Sequence, residues 1–438
     1  MSFGVRSTFR SLSHRAYRLY FTGQVVSTIG TWAQKVAQAW LVLQLTDSGT
    51  MLGITAGLQQ APTLLLTPWA GLLADRRSRR SMLLWTQVAA GIPAALLAVL
   101  SLYDALTVAA IMVVAVVTGV VEAFDKPARH TFPADVVPPE DVTNAVTLNA
   151  TMFNAGKVLG PAAAGIAISR VGVGATFAFN AVSFAVMLVA LARIRPSEIR
   201  QRDVVPREPK ALRAGLGYAR RTPVIAACLA LMTTTGLVAY EWNTAVPLLA
   251  RAHSDDASMI GFFFAAMGIG AIFGSLSLAG VLVSTPRTFL VAAVVFSVAL
   301  GLVAASPGLG LALAAMVLLG AAATTFRALA TSLVQLEADP AMRGRVVSLL
   351  IMALNGTSPI SGPLIGATAE HVGARTAVGL GAALSLLTTV AAWRYLAAVA
   401  PHRLANARGR RVLTLLPAGR RPWIERFRPR SRALTGLL

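Results

Sequence analysis

Four polar residues near the start of the chain repeat at helical spacing. Thr31, Gln34, Lys35 and Gln38 stand at i, i+3, i+4 and i+7 within an otherwise apolar run. That spacing puts them on one face of a helix. In hydrocarbon such a face needs a bundle interior or an aqueous cavity, and the Lys35 ammonium needs a partner or water. Trp32 and Trp40 stand beside it and could line a ligand surface. The plainer readings are packing against a neighbouring polar helix and, for Trp40, a place at the membrane interface. Glu122, Asp125, Lys126 and Arg129 repeat the same spacing, each acid four residues before a base, the favourable order for helical ion pairs. Pro127 interrupts them, and proline often ends a helix. Glu241, within Tyr240-Glu241-Trp242-Asn243, is a further carboxyl in an apolar segment. A carboxyl that takes up and releases a proton inside the membrane is what a proton-coupled carrier needs; an interfacial or ion-paired glutamate is the bland alternative. Gln59, Gln60 and Pro62 add polar groups and a potential kink to the second apolar run. The candidate substrate cavity is thus Thr31, Trp32, Gln34, Lys35, Gln38, Gln59, Tyr240 and Asn243, with Glu241, Glu122 and Asp125 as proton-coupling candidates.

The elements that must position these residues are membrane helices. Hydrophobic residues make up 55% of 438 and charged residues 13%, against about 25% charged in soluble domains. The chain is therefore an integral membrane protein. Its formal net charge of +21 would suggest nucleic acid in a soluble protein. Here the arginines gather at helix ends and in the last forty residues, where positive-inside topology and anionic lipid account for them, so no nucleic-acid partner is indicated. The single cysteine, Cys228, excludes an intramolecular disulfide and a cysteine metal cluster. No phosphate-binding loop, metal-ligand spacing or nucleophile–base pair is present, so the expectation is a non-enzyme without a cofactor. The N-terminal apolar run lacks a small-residue cleavage site and reads as a retained first helix.

Spans of about 20 apolar residues fall into two groups of six. They lie near 20–45, 51–74, 82–102, 105–126, 143–169 and 173–194, then 223–249, 258–282, 287–305, 309–329, 345–369 and 374–398. The expected units are 1–194, a first six-helix bundle; 195–222, a cytoplasmic linker; 223–398, a second bundle; and 399–438, a basic cytoplasmic tail. Arg76, Arg77, Arg79 and Arg80 fall on the same side as the linker and tail, which puts both termini in the cytoplasm. The halves repeat: Phe124 precedes Gly160-Pro161 by the interval that separates Phe326 from Gly362-Pro363.

Gly71-Leu72-Leu73-Ala74-Asp75-Arg76-Arg77-Ser78-Arg79-Arg80 resembles the loop between the second and third helices of the major facilitator superfamily. Gly71, Asp75, Arg76, Arg79 and Arg80 match that pattern, and Ser78 stands where its second glycine is usual. In that superfamily the aspartate and basic residues latch the outward-open state, and Arg129, from the neighbouring helix, is expected to join them. The Ala123-Phe124-Asp125 to Arg129 run, with Asn144-Ala145, Asn149 and Gly160-Pro161, is similar to the subgroup holding enterobactin-type siderophore exporters and macrolide or multidrug efflux pumps. Gly156, Gly160, Pro161 and Gly165 match the superfamily's antiporter element, with Ala164 replacing a glycine. Gly156 and Gly160 by themselves form a small-residue face for close helix packing. The resemblance implies an all-α fold of twelve helices in two pseudo-symmetric bundles. It also implies a monomeric, proton-coupled exporter of amphipathic small molecules in a bacterial cytoplasmic (inner) membrane. Siderophore export, lysophospholipid transport and a transport-inactive scaffold or sensor stay open as alternatives.

Overall fold

The computed structural model describes residues 9–200, 211–278 and 284–401, side chains excepted at 68, 72, 74–76, 211–213 and 276–278. Its elements are α1 (Arg15–Thr46), α2 (Gly49–Arg76), α3 (Arg79–Leu102), α4 (Val108–Thr131), α5 (Val142–Ala192), α6 (Ala211–Arg221) and α7 (Pro223–Val238). They continue with α8 (Trp242–Arg251), α9 (Ser258–Leu278), α10 (Pro286–Ala305), α11 (Leu309–Glu337), α12 (Arg343–Asn355), α13 (Ser358–Val372) and α14 (Ala374–Val399). Among the described residues the remaining elements are short 3-10 turns. Among the described residues, nine helical runs are long and apolar enough to cross a membrane by length and composition alone. One of them, α5, is two crossings: Gly172, at φ 82° and with no atom near its missing Cβ, reverses the chain. Gly373, at φ 85°, does the same between α13 and α14 in the second half. Both angles are ones that L side chains adopt only under strain. Central polar residues lower the hydropathy of α1 and α2, which make up the twelve.

Side chains begin several of these helices. Ser48, Thr107 and Thr285 accept hydrogen bonds from the amides of Met51, Ala110 and Thr288, satisfying donors that a helix start leaves open. Ser78, which replaces the glycine of the loop motif, caps α3 by accepting from the Ser81 amide at 3.4 Å.

Several runs depart from the expected boundaries: α1 begins five residues earlier and α11 ends eight residues later, and three further departures bear on the site. α4 does not stop at Pro127 but continues to Thr131; the proline removes one amide donor, and the Asp125–Arg129 ion pair spans it. The seventh span is broken between α7 and α8, and the eleventh between α12 and α13. Pro359 cannot donate to the Asn355 carbonyl, which accounts for the second break. The two breaks meet: a Cβ on Gly236 of α7 would lie 2.7 Å from the Thr357 hydroxyl.

Both described chain ends lie at one end of the bundle. There the N-terminal segment is bolted down by polar contacts. Arg10 and His14 pair with Asp141, the latter at 2.7 Å, and the Tyr17 and Tyr20 hydroxyls donate to the carbonyls of Ala145 and Arg129 at 2.8 and 3.0 Å. Arg15 pairs with Glu198 at 2.9 Å; the Arg195 amide and the Arg15 guanidinium hold that carboxyl below the usual carboxylate range. At the far end the two halves touch directly. Glycines make this possible: a Cβ on Gly53 of α2 would fall 2.1 Å from the Gly362 carbonyl of α13, and one on Gly165 of α5 would fall 3.0 Å from Gly261 of α9. Polar contacts ring this seam, where Arg251 reaches Asp47 at 3.1 Å, and Glu370 accepts from the Ser48 hydroxyl at 2.7 Å and the Thr50 amide at 2.9 Å. Leu, Val and Phe side chains such as Val113, Leu311, Phe273 and Leu387 stay exposed on the perimeter, as a lipid-facing surface requires.

Candidate functional site

The polar face of α1 and the charged end of α4 converge on a recess of about 240 Å³ in the inner wall of the first half. Thr31, Trp32 and Lys35 line it from α1; Glu122, Asp125, Lys126 and Arg129 from α4; Thr86 and Gln87 from α3; Phe153 and Lys157 from α5. The Glu122 carboxylate lies between two ammonium groups, with Lys35 Nζ at 2.8 Å and Lys126 Nζ at 2.7 Å. Lys35 also sits 5.3 Å from the Trp32 ring centre, a cation–π distance. Asp125 pairs with Arg129 one turn on, and it accepts from the Thr86 hydroxyl at 2.8 Å and the Gln87 amide at 3.0 Å. Both α4 ion pairs have the acid-before-base order legible in the sequence.

The stripe on α1 divides between partners. Thr31 returns its hydroxyl to the Ser27 carbonyl at 2.8 Å while edging the recess. Gln34 is turned into the bundle and accepts from Asn180 on the return arm of α5 at 2.6 Å. Gln38 is buried. Trp40, also buried, lies under Arg251 at 5.8 Å near the far-end seam. Gln59 of α2 is half-buried, and its backbone carbonyl lies where a Cβ on Gly119 of α4 would collide.

The second half contributes a different site. Glu241 is 3% exposed and sits at the break between α7 and α8. Asn243 donates to it at 3.1 Å, and Ser358, just past the other break, also hydrogen-bonds it. The carboxyl is thus enclosed where the two broken helices meet. Lys35 takes Glu122, not Glu241, as its ion-pair partner. Tyr240 packs at a tilt against Trp242 and Phe296, with ring centres 5.1 and 5.9 Å away.

Of the loop motif, Arg79 forms a bidentate pair with Asp135, its Nη1 at 2.7 and 2.6 Å from the two oxygens. Arg80 donates to the Leu191 and Ala192 carbonyls at the end of α5. The side chains of Asp75 and Arg76 lie outside the described residues, as does the basic tail from residue 402. Gly71 is a half-buried position near the end of α2. Gly156 and Gly160 pack on α1: a Cβ there would lie 2.4 Å from Thr28 and 2.5 Å from Trp32. Gly165, on the same helix beyond Pro161, faces α9 across the seam.

Sequence reasoning missed Lys157, Asn180, Asp135 and Arg327. Lys157 is embedded in the glycine motif, where the small residues draw attention from it. Arg327 directly follows Phe326, the repeat partner of Phe124, so the internal repeat puts it opposite Asp125. A lone cation in an apolar run was the available signal.

Twelve spans in two related bundles, meeting at a glycine seam beyond a charged recess, have the architecture of a transporter of the major facilitator superfamily. The chain belongs to the transmembrane secretion effector family, whose profile matches residues 6–408. It is similar to the multidrug efflux pump Tap of Mycolicibacterium fortuitum, 26% identical over 372 residues that cover 81% of this chain and 90% of that one. It is also similar to the enterobactin exporter EntS of Shigella flexneri, 24% identical over 383 residues covering 87% and 88%. In fold it resembles the inward-facing crystal structure of a bacterial homologue of the iron transporter ferroportin, with TM-score 0.68 and 15% identity over 87% of this chain and 98% of that one.

Proposed function

We propose that this protein exports amphipathic small molecules across a bacterial cytoplasmic membrane by alternating access, driven by inward proton movement. The observation that carries the reading is the charged recess lying below a closed far-end seam. A site with the halves closed beyond it by close packing and a few polar contacts is what an alternating-access cycle requires in one of its states. The moving bodies are 1–194 and 223–398, joined by 195–222, and the basic tail at 399–438 rests on anionic lipid. The accumulation of arginine at the terminus-bearing end makes that end cytoplasmic.

Trp32, Lys35 and Tyr240 contact the substrate. Glu241 carries the coupling proton, because an enclosed carboxyl at a helix break changes solvent access when the break moves. Glu122 and Asp125 are already neutralised by neighbouring cations, which fits them to hold the recess in shape and to exchange partners as it closes. Gly71, Asp75, Arg76, Arg79, Arg80 and Arg129 form the cytoplasmic latch of the opposite state, and Gly156, Gly160, Pro161 and Gly165 form the sliding face. The chain works as a monomer.

The test is flux in proteoliposomes under an imposed pH gradient, screening macrolides, dyes, siderophores and lysolipids. Gradient-driven flux should be lost in Glu241→Gln while substrate exchange without a gradient persists. Undiminished gradient-driven flux in that variant contradicts the coupling role.

A further inference from the structure

We propose that Lys157 and Arg327 together form an anion-binding site, so that the molecule bound in the recess is an anionic amphiphile carrying a carboxylate, phosphate, sulfonate or phenolate group. The recess is unbalanced in charge. Lys35, Lys126, Arg129 and Lys157 line it against only Glu122 and Asp125. Those two carboxylates are already engaged: Glu122 by Lys35 and Lys126, and Asp125 by Arg129, Thr86 and Gln87. Lys157 is left over. It makes no ion pair or hydrogen bond among the described residues, and the charges bearing on it, from Arg327, Lys35 and Lys126, are all repulsive.

Arg327, on α11 of the second half, contributes the largest of the charges that bear on Lys157. This arginine stands midway along α11, an apolar helix, and its side chain has no carboxylate partner among the described residues. It is exposed, as is Lys157, and neither lies at a helix end among lipid headgroups. Its charge also acts on Tyr240. A cation kept within a membrane-spanning segment is costly; it pairs or faces a water-filled cavity, and there it marks a substrate or ion path. The recess thus carries a cation, Lys157, without a carboxylate of its own, and a second unpaired cation, Arg327, whose charge bears on it; one negative group would answer both. Trp32 and Phe153, which line the recess, supply the apolar surface for the body of the same ligand. Binding an anion there would join the first half to the second and remove the repulsion, so the ligand itself would favour closure of the gap.

The inference gains its place in a transport cycle from the exporter reading, but its test is equilibrium binding and does not need transport. Purified protein in nanodiscs of zwitterionic phosphatidylcholine is titrated at pH 8 with fluorescein, a dianion, and with rhodamine 123, a cation on the same xanthene frame. Fluorescence anisotropy reads both affinities. Fluorescein should bind about tenfold or more tightly than rhodamine 123, and Lys157→Met and Arg327→Met should each weaken fluorescein by about tenfold. Lys157→Arg should keep wild-type affinity, and Lys157→Glu should reverse the preference. Equal or tighter binding of rhodamine 123, no binding of fluorescein, or fluorescein affinity unmoved by both Met variants overturns the proposal. Both residues are exposed and neither forms an ion pair among the described residues, so the variants should elute and melt as the wild type does. Export of rhodamine 123 with no fluorescein binding would sink this site and leave the exporter reading standing. The reverse result would sink only the exporter reading.

Discussion

Asp125 is the residue on which the recess depends most. Its carboxylate answers the Arg129 guanidinium and two polar side chains of α3, and both members of the ion pair are nearly buried. Removing one charge of such a pair leaves the other without a counterpart, at a cost of about 3 kcal/mol. Asp125→Asn should therefore lower the thermal midpoint of the purified protein markedly. Asp125→Asn with Arg129→Gln should recover much of that loss, and a double variant as unstable as the sum of the singles would show that the two do not act as a pair. The quartet from Glu122 to Arg129 could be read from spacing alone, since helical pairs at i, i+4 need no tertiary information. The stripe on α1 could be read only as a stripe. Adjacent positions on a helix point about 100° apart, so Gln34 and Lys35 fall on different edges of one broad polar face. Which edge meets Asn180 and which meets Glu122 is decided by neighbours far away in the chain.

Glycine placement governs how the helices approach. Gly160 admits Trp32 of α1, and Gly165 admits the backbone of α9. Five residues apart, these positions are rotated by about 140° around α5, so one motif serves two different contacts, one inside the first half and one between halves. Gly160→Val should displace α1, disorder the Trp32 side of the recess and weaken dye binding without opening the seam. Gly165→Val should force the seam apart and shift the protein toward a far-end-open state, seen as faster labelling of cysteines introduced beside Gly261. If both variants change the same property, the division of the motif is wrong. The motif was legible because small residues at fixed spacing have few other uses, but its two targets were not. The breaks at Glu241 and at Gly356-Thr357 were equally hidden, because the apolar run continues through each and hydropathy does not register a lost backbone hydrogen bond.

At the scale of the whole molecule, the count of twelve spans and the gathering of arginine at one end followed from apolar run lengths and charge. The state of the cycle did not. It is set by contacts between halves that lie some two hundred residues apart, such as Asp47 with Arg251 and Ser48 with Glu370. Each is an exposed contact worth about 1 kcal/mol or less, so the seam is held by close packing with a small polar bias, as a two-state element should be. Arg251→Ala with Glu370→Gln should shift the population toward the opposite state without unfolding the protein. The only cysteine, Cys228, is fully buried, so spin labels can be placed on introduced cysteines.

The measurement that tests the account most directly is the pair of interhalf distances in liposomes by double electron–electron resonance. One label pair spans the far end at Leu45 and Val372, and the other spans the terminus-bearing end at Ser81 and Arg343. The account predicts a short far-end distance and a long opposite one in the unmodified protein. Both populations should exchange, the first lengthening as the second shortens, when the two seam residues are replaced. Distances that stay fixed at both ends, or that lengthen together, would contradict alternating access.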